Sequence, residues 1–288
     1  MTFPLRDGVA VLTGAASGIG QALALQLARE GCHLALVDRN AAGLADTAAR
    51  ARTAGVRVTE HDLDVSDASA LAALPATVMA EHGRVTLLVN NAGVALMGDF
   101  EQATLDDFEW LFGINFWAPV RLTRAFLPVL RQQPVAQIVN VSSIFGIIAP
   151  PGQTAYCAAK FALRGFSEAL RHELETTDIG VSVVHPGGIK TAIARNTRVS
   201  AGIDPADAAR AAERFAAAFI TTADQAAARI VTGIQKREKR ILIGRDARLL
   251  DVVQRLMPTG YWSLIRKRAG PRPRSSAVPV VAQEQTHG

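Results

Sequence analysis

The chain has 288 residues, 49% hydrophobic and 20% charged. That is enough apolar material for a large buried core and too much for a disordered chain. Residues 262–288 hold five Lys or Arg against one Glu, contributing +4 of the formal +5 and leaving the body near neutral, which argues against a nucleic-acid-binding protein. Two cysteines, Cys32 and Cys157, exclude a disulfide framework and a cysteine-rich metal site. No apolar run approaches the ~18 residues a membrane-spanning helix needs. A core strand starting within ten residues of the amino terminus leaves no room for a cleavable signal segment, so a cytoplasmic protein is expected.

Val9-Ala10-Val11-Leu12 reads as a buried strand, Thr13 to Gly20 as a glycine-rich turn, and Ala22 to Glu30 as an amphipathic helix. Gly14, Gly18 and Gly20 let the backbone turn tightly and approach a ligand. The N–H groups of the helix start, around Ser17 and Ile19, suit a pyrophosphate. The spacing Gly-x-x-x-Gly-x-Gly differs from the commoner dinucleotide fingerprint Gly-x-Gly-x-x-Gly. A second apolar run, His33 to Val37, ends at Asp38, about twenty residues beyond the loop, where an acid accepts both ribose hydroxyls of NAD and repels the 2′-phosphate of NADP. Arg39 leaves two options open, pairing with a 2′-phosphate or stacking on adenine.

Strands and helices then alternate: Val56 to Glu60, Ala68 to His82, Val85 to Asn90, and a long helix within Thr104 to Arg131. Repeated β-α units predict a parallel sheet covered by helices on both faces. Asp64-Val65 closes the third strand region, where a carboxylate can reach an adenine amino group. Asn90-Asn91-Ala92-Gly93 falls at the carboxyl end of the fourth strand, where open α/β sheets bind ligands. Asn115, in Gly113-Ile114-Asn115-Phe116-Trp117, interrupts a helical pattern with a residue whose amide competes for backbone hydrogen bonds. It marks either a functional kink or a tolerated buried amide.

Gln137 to Val141 is the fifth strand and delivers Ser142 and Ser143 to the same sheet edge. Thirteen residues after Ser143 come Tyr156-Cys157-Ala158-Ala159-Lys160, opening a helix that runs to about Glu175. Tyr and Lys four apart share a helix face, so the ammonium can favour the ionised phenol. An unperturbed Tyr titrates near ~10, too high for efficient proton transfer at neutral pH. Val181 to Val184 is the sixth strand and ends in His185-Pro186-Gly187-Gly188, whose backbone can meet a nicotinamide, with Ile189 following and Thr191 supplying a hydroxyl. His172 and His185 lack a spaced partner and read as structural. An Ala-rich segment, Pro205 to Ile220, suits a substrate lid spanning about 189–220. Ala223 to Lys236 is a helix, Arg240 to Gly244 a seventh strand, and the polar, Pro-containing stretch from Pro271 a disordered tail.

Taken together, Thr13-Gly14-x-x-x-Gly18-Ile19-Gly20, Asn90-Asn91-Ala92-Gly93, Asn115, Ser143, Tyr156-x-x-x-Lys160 and Pro186-Gly187 resemble the short-chain dehydrogenase/reductase (SDR) family in order and spacing over roughly residues 6 to 245. The resemblance implies an α/β three-layer, doubly wound Rossmann fold with a seven-stranded parallel sheet, one domain over residues 1–265, and a basic tail over 266–288. It implies NAD(P)-dependent hydride transfer between an alcohol and a carbonyl on a small-molecule substrate, by a homodimer or homotetramer. Tyr156 would be the acid/base, Ser143 would polarise the substrate oxygen, with Ser142 the competing serine, Lys160 would lower the phenol pKa and bind the nicotinamide ribose, and Asn115 would hold a water connecting Lys160 to solvent. Two other readings are a β-ketoacyl-thioester reductase, against which Asp38 counts, and a non-catalytic dinucleotide-sensing scaffold. Phe100, Phe145, Ile147, Ile148, Pro150 and Pro151 suggest an apolar substrate. The segment Gly244 to Arg268 extends beyond shorter family members and is expected to pack on the protein or cover the active site, the alternative being a membrane-surface segment.

Overall fold

The computed structural model describes residues 2–191, 197–200 and 219–269, together with Ile203, Asp204, Ala206, Asp207, Ala209, Arg210 and Glu213. Most of the expected lid at 189–220, and all of the expected tail at 266–288 except residues 266–269, which continue a helix, lie outside the described residues.

Seven parallel strands form the central sheet: β1 (Val9–Thr13), β2 (His33–Asp38), β3 (Val58–Asp62), β4 (Leu87–Asn90), β5 (Ala136–Val141), β6 (Ile179–Pro186) and β7 (Arg240–Ile243). The order across the sheet is β7-β6-β5-β4-β1-β2-β3. The chain therefore winds outward from β1 to β3, then returns to the other side of β1. That reversal opens a crevice beyond the carboxyl ends of β1 and β4, where such sheets bind ligands. Register is pinned on both sides of β1, with Val11 opposite Ala35 of β2 and Leu88 of β4.

The described helices are α1 (Gly18–Arg29), α2 (Ala41–Arg52), α3 (Ala68–His82), α4 (Leu105–Phe112), α5 (Ala118–Leu130), α6 (Thr154–Glu173), α7 (Ala223–Gln235), α8 (Arg245–Leu256) and α9 (Tyr261–Ala269). Successive strand residues serve opposite faces. Ala10, Leu12, Leu34 and Leu36 pack with α1, α2 and α7 on one side. Val11, Ala35 and Val37 pack with α3, α5 and α6 on the other. Burial on both faces explains why these strands read as continuous apolar runs rather than alternating ones. The result is the three-layer, doubly wound Rossmann arrangement.

The helix α2 leaves little trace in the sequence. Its Asn40 cap accepts a hydrogen bond from Gly43 N at 3.2 Å, and its buried face is Leu44, Thr47, Ala48 and Ala51. One large apolar residue among small ones makes a faint stripe. The long helix expected within 104–131 is in fact three pieces. A capping box starts α4, with Thr104 Oγ1 accepting from Asp107 N and Asp107 Oδ2 accepting from Thr104 N. A π-helical turn, Gly113–Trp117, then precedes α5. Pro119 lacks an N–H, so the carbonyl of Asn115 has no donor four residues on, and the ordinary helical ladder is interrupted at that point.

The carboxyl-terminal extension forms α8 and α9. Leu250, Tyr261 and Ile265 pack against Ile144, Ile147, Ile148 and Ala247, and the Tyr261 hydroxyl accepts from Ala149 N at 2.9 Å. A chain of charges reinforces this seat: Arg164 and Arg240 share Glu168, and Arg240 and Arg255 share Asp251, at 2.8 to 3.1 Å. Asp251 is only 4% exposed, so its carboxylate depends on those two guanidinium groups. Among the described residues no helix is long and apolar enough to cross a membrane.

Phe126 is fully buried beneath the sheet. Phe126→Ala is expected to cost about 3–5 kcal/mol. Urea unfolding should show a lower midpoint with an unchanged slope.

Candidate active site

The glycine-rich turn joins β1 to α1 at the crevice. Gly14 and Gly18 have positive φ of 68° and 58°, the left-handed region that disfavours a side chain. A Cβ at Gly14 would press on Asn91 and Ala92, and one at Gly18 would stand 3.3 Å from the Thr191 side chain. The loop thus brings two distant predicted segments together. Gly20 closes the turn, its missing side chain letting α1 lie against the Gly14 carbonyl. Ser17 caps α1 in an extended conformation without a side-chain hydrogen bond. The first-turn N–H groups, including that of Ile19, therefore lack the acceptor a capping side chain supplies, and such an end suits an anion.

Asp38 ends β2 with both oxygens aimed at backbone: Oδ2 accepts from Ala16 N at 2.9 Å and Oδ1 from Asn40 N at 3.0 Å. Those bonds fix its carboxylate beside the glycine turn. Arg39 pairs with Asp64 at 3.3 Å, while Asp64 also accepts from Ser66 N at 2.8 Å. The backbone hydrogen bond from Ser66 is the main cause holding the Asp64 carboxyl below its usual range. Val65 is buried, packed in the core with Leu71 and Leu74 of α3.

Asn91 proves to be a clamp. Its amide donates to the carbonyls of Thr13 and Gly14 at 3.0 and 3.2 Å, while Thr13 Oγ1 accepts from Asn91 N and Ala92 N, each at 3.0 Å. These bonds lock the ends of β1 and β4 together. Thr13 opens the glycine-rich motif, but its bridging role leaves no sign in the sequence, since a hydroxyl at a strand end is ordinary. At Gly93, an added Cβ would lie 3.0 Å from Asn115 Oδ1 and 3.4 Å from Lys160 Nζ. Glycine here leaves room beside the ammonium.

Asn115 is fully buried in the π-turn, and its side chain reads one backbone residue completely: Nδ2 donates to Val94 O and Oδ1 accepts from Val94 N, both at 2.9 Å. Lys160 is 4% exposed and donates to Val141 O at 3.1 Å, with Nζ 5.6 Å from the centre of the Tyr156 ring. Burial pulls its ammonium down to about 8. Tyr156 keeps part of its surface open to the crevice. The protein packed around its hydroxyl nevertheless pushes the phenol up to about 12, against the lowering effect of a hydrogen bond with Ser143. This departs from the expectation that Lys160 lowers the phenol. The ammonium lies against the ring and is bonded to Val141; it is not among the groups that shift the phenol, which desolvation dominates.

Ser143 is held at both ends. Its Oγ accepts from Phe145 N at 3.1 Å, and its carbonyl accepts from His185 Nδ1–H at 2.8 Å. Burial takes His185 down to about 4, so the imidazole is neutral and donates through Nδ1. Read as structural from sequence, His185 therefore sets the backbone of Ser143. Ser142, the competing serine, instead donates to Lys160 O at 2.9 Å in a buried position. Phe145 meets Tyr156 edge-on, ring centres 6.2 Å apart. Ile147 and Ile148 are buried against the extension and line the core rather than the crevice, and Phe100 is 68% exposed and stacks edge-on with Phe108.

Pro186 ends β6, and the turn after it is tied to the seventh strand and to α8. Gly187 N donates to Ile243 O at 2.9 Å and Gly188 N to Asp246 Oδ2 at 2.8 Å. Asp246 is a second residue that sequence reasoning missed, because nothing local links position 246 to position 188. Ile189 follows, buried and paired with Thr221.

A family profile described as short chain dehydrogenase matches residues 8–202. The protein SadH of Mycobacterium tuberculosis, named as an oxidoreductase, is 43% identical over 259 residues, covering 89% of this chain and 93% of its own length. The dehydrogenase/reductase SDR family member 7B of Bos taurus is 30% identical, covering 92% and 82%. A solved short chain dehydrogenase/reductase from Burkholderia phymatum, in complex with NAD, superposes with a TM-score of 0.83 at 30% identity, covering 94% of this chain and 100% of that one.

The depressed Lys160 pKa has a signed consequence. Between about 8 and its ordinary 10.5, the unfolded chain binds a proton that the folded chain has released, so raising the pH favours the fold. Relative to Lys160→Met, wild type should gain about 2–3 kcal/mol of stability between ~pH 7 and ~pH 10, as measured by urea unfolding at the two pH values.

Proposed function

This chain belongs to the short-chain dehydrogenase/reductase family, and from that premise we propose that it interconverts a secondary alcohol and a ketone or aldehyde by hydride transfer with a nicotinamide dinucleotide. It is an oxidoreductase. The observation that carries the finer reading is the meeting of Ser143, Tyr156 and Lys160: a phenol hydrogen-bonded to a serine, with a buried ammonium against its ring.

The glycine turn, Asp38 and the Pro186-Gly187 turn would hold the dinucleotide, with Thr191, Asn91, Ala92 and Gly93 along its path. When bound, the nicotinamide supplies the hydride donor or acceptor. The residues handle the oxygen and its proton. Ser143, fixed through Phe145 N and His185, donates a hydrogen bond to the substrate oxygen. Tyr156 gives that oxygen a proton in reduction and takes one in oxidation. With the phenol at about 12, Tyr156 is poised at neutral pH to give its proton, and oxidation gains as the pH rises. Lys160 holds a ribose hydroxyl and, next to the ring, favours the phenolate as it forms. The side chain of Asn115 is committed to Val94, so its main-chain carbonyl, which Pro119 leaves without the ordinary helical donor, would be the group that holds the water linking Lys160 to solvent.

NAD is the proposed dinucleotide. The Asp38 carboxylate is fixed beside the glycine turn, where its charge favours a ribose hydroxyl pair over a phosphate, and Arg39 is drawn to Asp64 rather than left to bind a phosphate. Exposed Leu105, Trp117 and Phe161 support assembly as a homodimer or homotetramer.

Tyr156→Phe should lower kcat at least about a hundredfold. Quenching of reduced-nicotinamide fluorescence should show that dinucleotide binding persists, and near-normal turnover would reject the proton-transfer role. For the cofactor, kcat/KM should favour NAD in wild type, and Asp38→Ala should shrink that preference about 10- to 100-fold, the worth of a charged hydrogen bond. Equal loss with NAD and NADP would point instead to a collapsed glycine turn.

A further inference from the structure

The carboxyl-terminal extension has an inner and an outer side of opposite character. Inside, α8 buries Ala247 and Asp251 and packs Leu250 toward Ile147 and Ile148. Outside, Leu249, Val252 and Leu256 are 54%, 51% and 78% exposed. Spaced three and four residues apart, they form one stripe on the side that a helix of a water-surrounded protein normally makes polar. Met257 and Leu264, 44% and 36% exposed, extend it into α9.

Exposed arginines border the stripe: Arg245, Arg248 and Arg255 on α8, then Arg266 on α9. Of these, Arg255 is paired with Asp251, while among the described residues no acid of α8 pairs with Arg245 or Arg248. Asp246 accepts from Gly188 N, and Asp251 is buried between Arg240 and Arg255. The sequence adds Lys267, Arg268, Arg272 and Arg274 immediately afterward.

We propose that this outer face of α8 and α9 docks on an anionic lipid surface. Apolar side chains between arginines match both layers of such a surface, the acyl boundary and the charged headgroups. A second copy of the chain fits less well, because a self-complementary contact would set arginine against arginine. Nucleic acid would satisfy the arginines and leave the leucines without a partner. The face stands on a firm base: the Asp251–Arg240–Glu168 chain and the bond from Ala149 N to the Tyr261 hydroxyl tie it to α6 and to the loop before Tyr156.

The test is co-sedimentation of the full chain with phosphatidylcholine vesicles, with and without about 30% phosphatidylglycerol, at low and high salt. Binding should require the anionic lipid and weaken with salt. Leu249→Gln combined with Leu256→Gln should weaken it roughly tenfold or more, as should Arg245→Ser combined with Arg248→Ser, both with unaltered thermal unfolding. The two pairs are independent, so either carries the test if the other misfolds. Arg272→Ser combined with Arg274→Ser, a control for the tail, should retain most of the binding. The proposal is overturned by absence of binding to the anionic vesicles, by wild-type binding in the α8 variants, or by loss of binding in the tail variant alone. It is equally overturned if the leucine pair changes the subunit count in size-exclusion chromatography, which would make the face a contact between copies.

Discussion

Lys160 carries its ammonium to a place where 4% of the residue remains accessible, and the surrounding structure is arranged to make that tolerable. A buried ammonium is expensive unless hydrogen-bonded, and the Val141 carbonyl at the carboxyl end of β5 is its protein acceptor. Gly93 leaves the space beside it, Asn115 fixes the neighbouring chain at Val94, and the Tyr156 ring closes one side. Lys160 and Asn115 are both held by backbone rather than by a flexible partner. That is the condition for a site whose geometry survives thermal motion.

The crevice itself follows from topology. Because β4 lands beside β1 instead of beside β3, the chains leaving the two strand ends run to opposite faces of the sheet, and Thr13 and Asn91 bond those ends together. The serine is supported from a third strand through His185. Four adjacent strands, β1, β4, β5 and β6, thus contribute their ends to one floor. The seventh adds a tether through Ile243, and the extension reaches the same turn through Asp246.

Much of this was legible in sequence because it is local. Continuous apolar runs mark strands buried on both faces, Gly14 and Gly18 mark positive φ, and Tyr156 and Lys160 share a face by helical arithmetic. The parts that were not legible depend on contacts between distant positions. His185 looked like an isolated imidazole because its partner is 42 residues away, and Asp246 meets Gly188 across 58. The helix α2 was missed because its buried face is mostly small side chains. The direction in which burial moves the phenol is hidden for a different reason. Spacing reports that a charge is near, and it cannot report how much water has been removed from both groups, which here decides the sign.

The π-turn at Gly113–Trp117 sits between two helices that must each present an apolar stripe to a neighbour. An α-helix advances ~100° per residue, so one extra residue in a turn resets the phase of everything after it. In α4 the buried contact is Leu111, facing Ala155 and Ala159 of α6, whereas α5 turns Leu122, Phe126 and Leu130 toward the sheet. The bulge that carries Asn115 is therefore also the phase adjuster between those two stripes. Losing a single residue there would swing the α5 stripe off the sheet, so the polar irregularity and the packing of the core are bound to the same residue count.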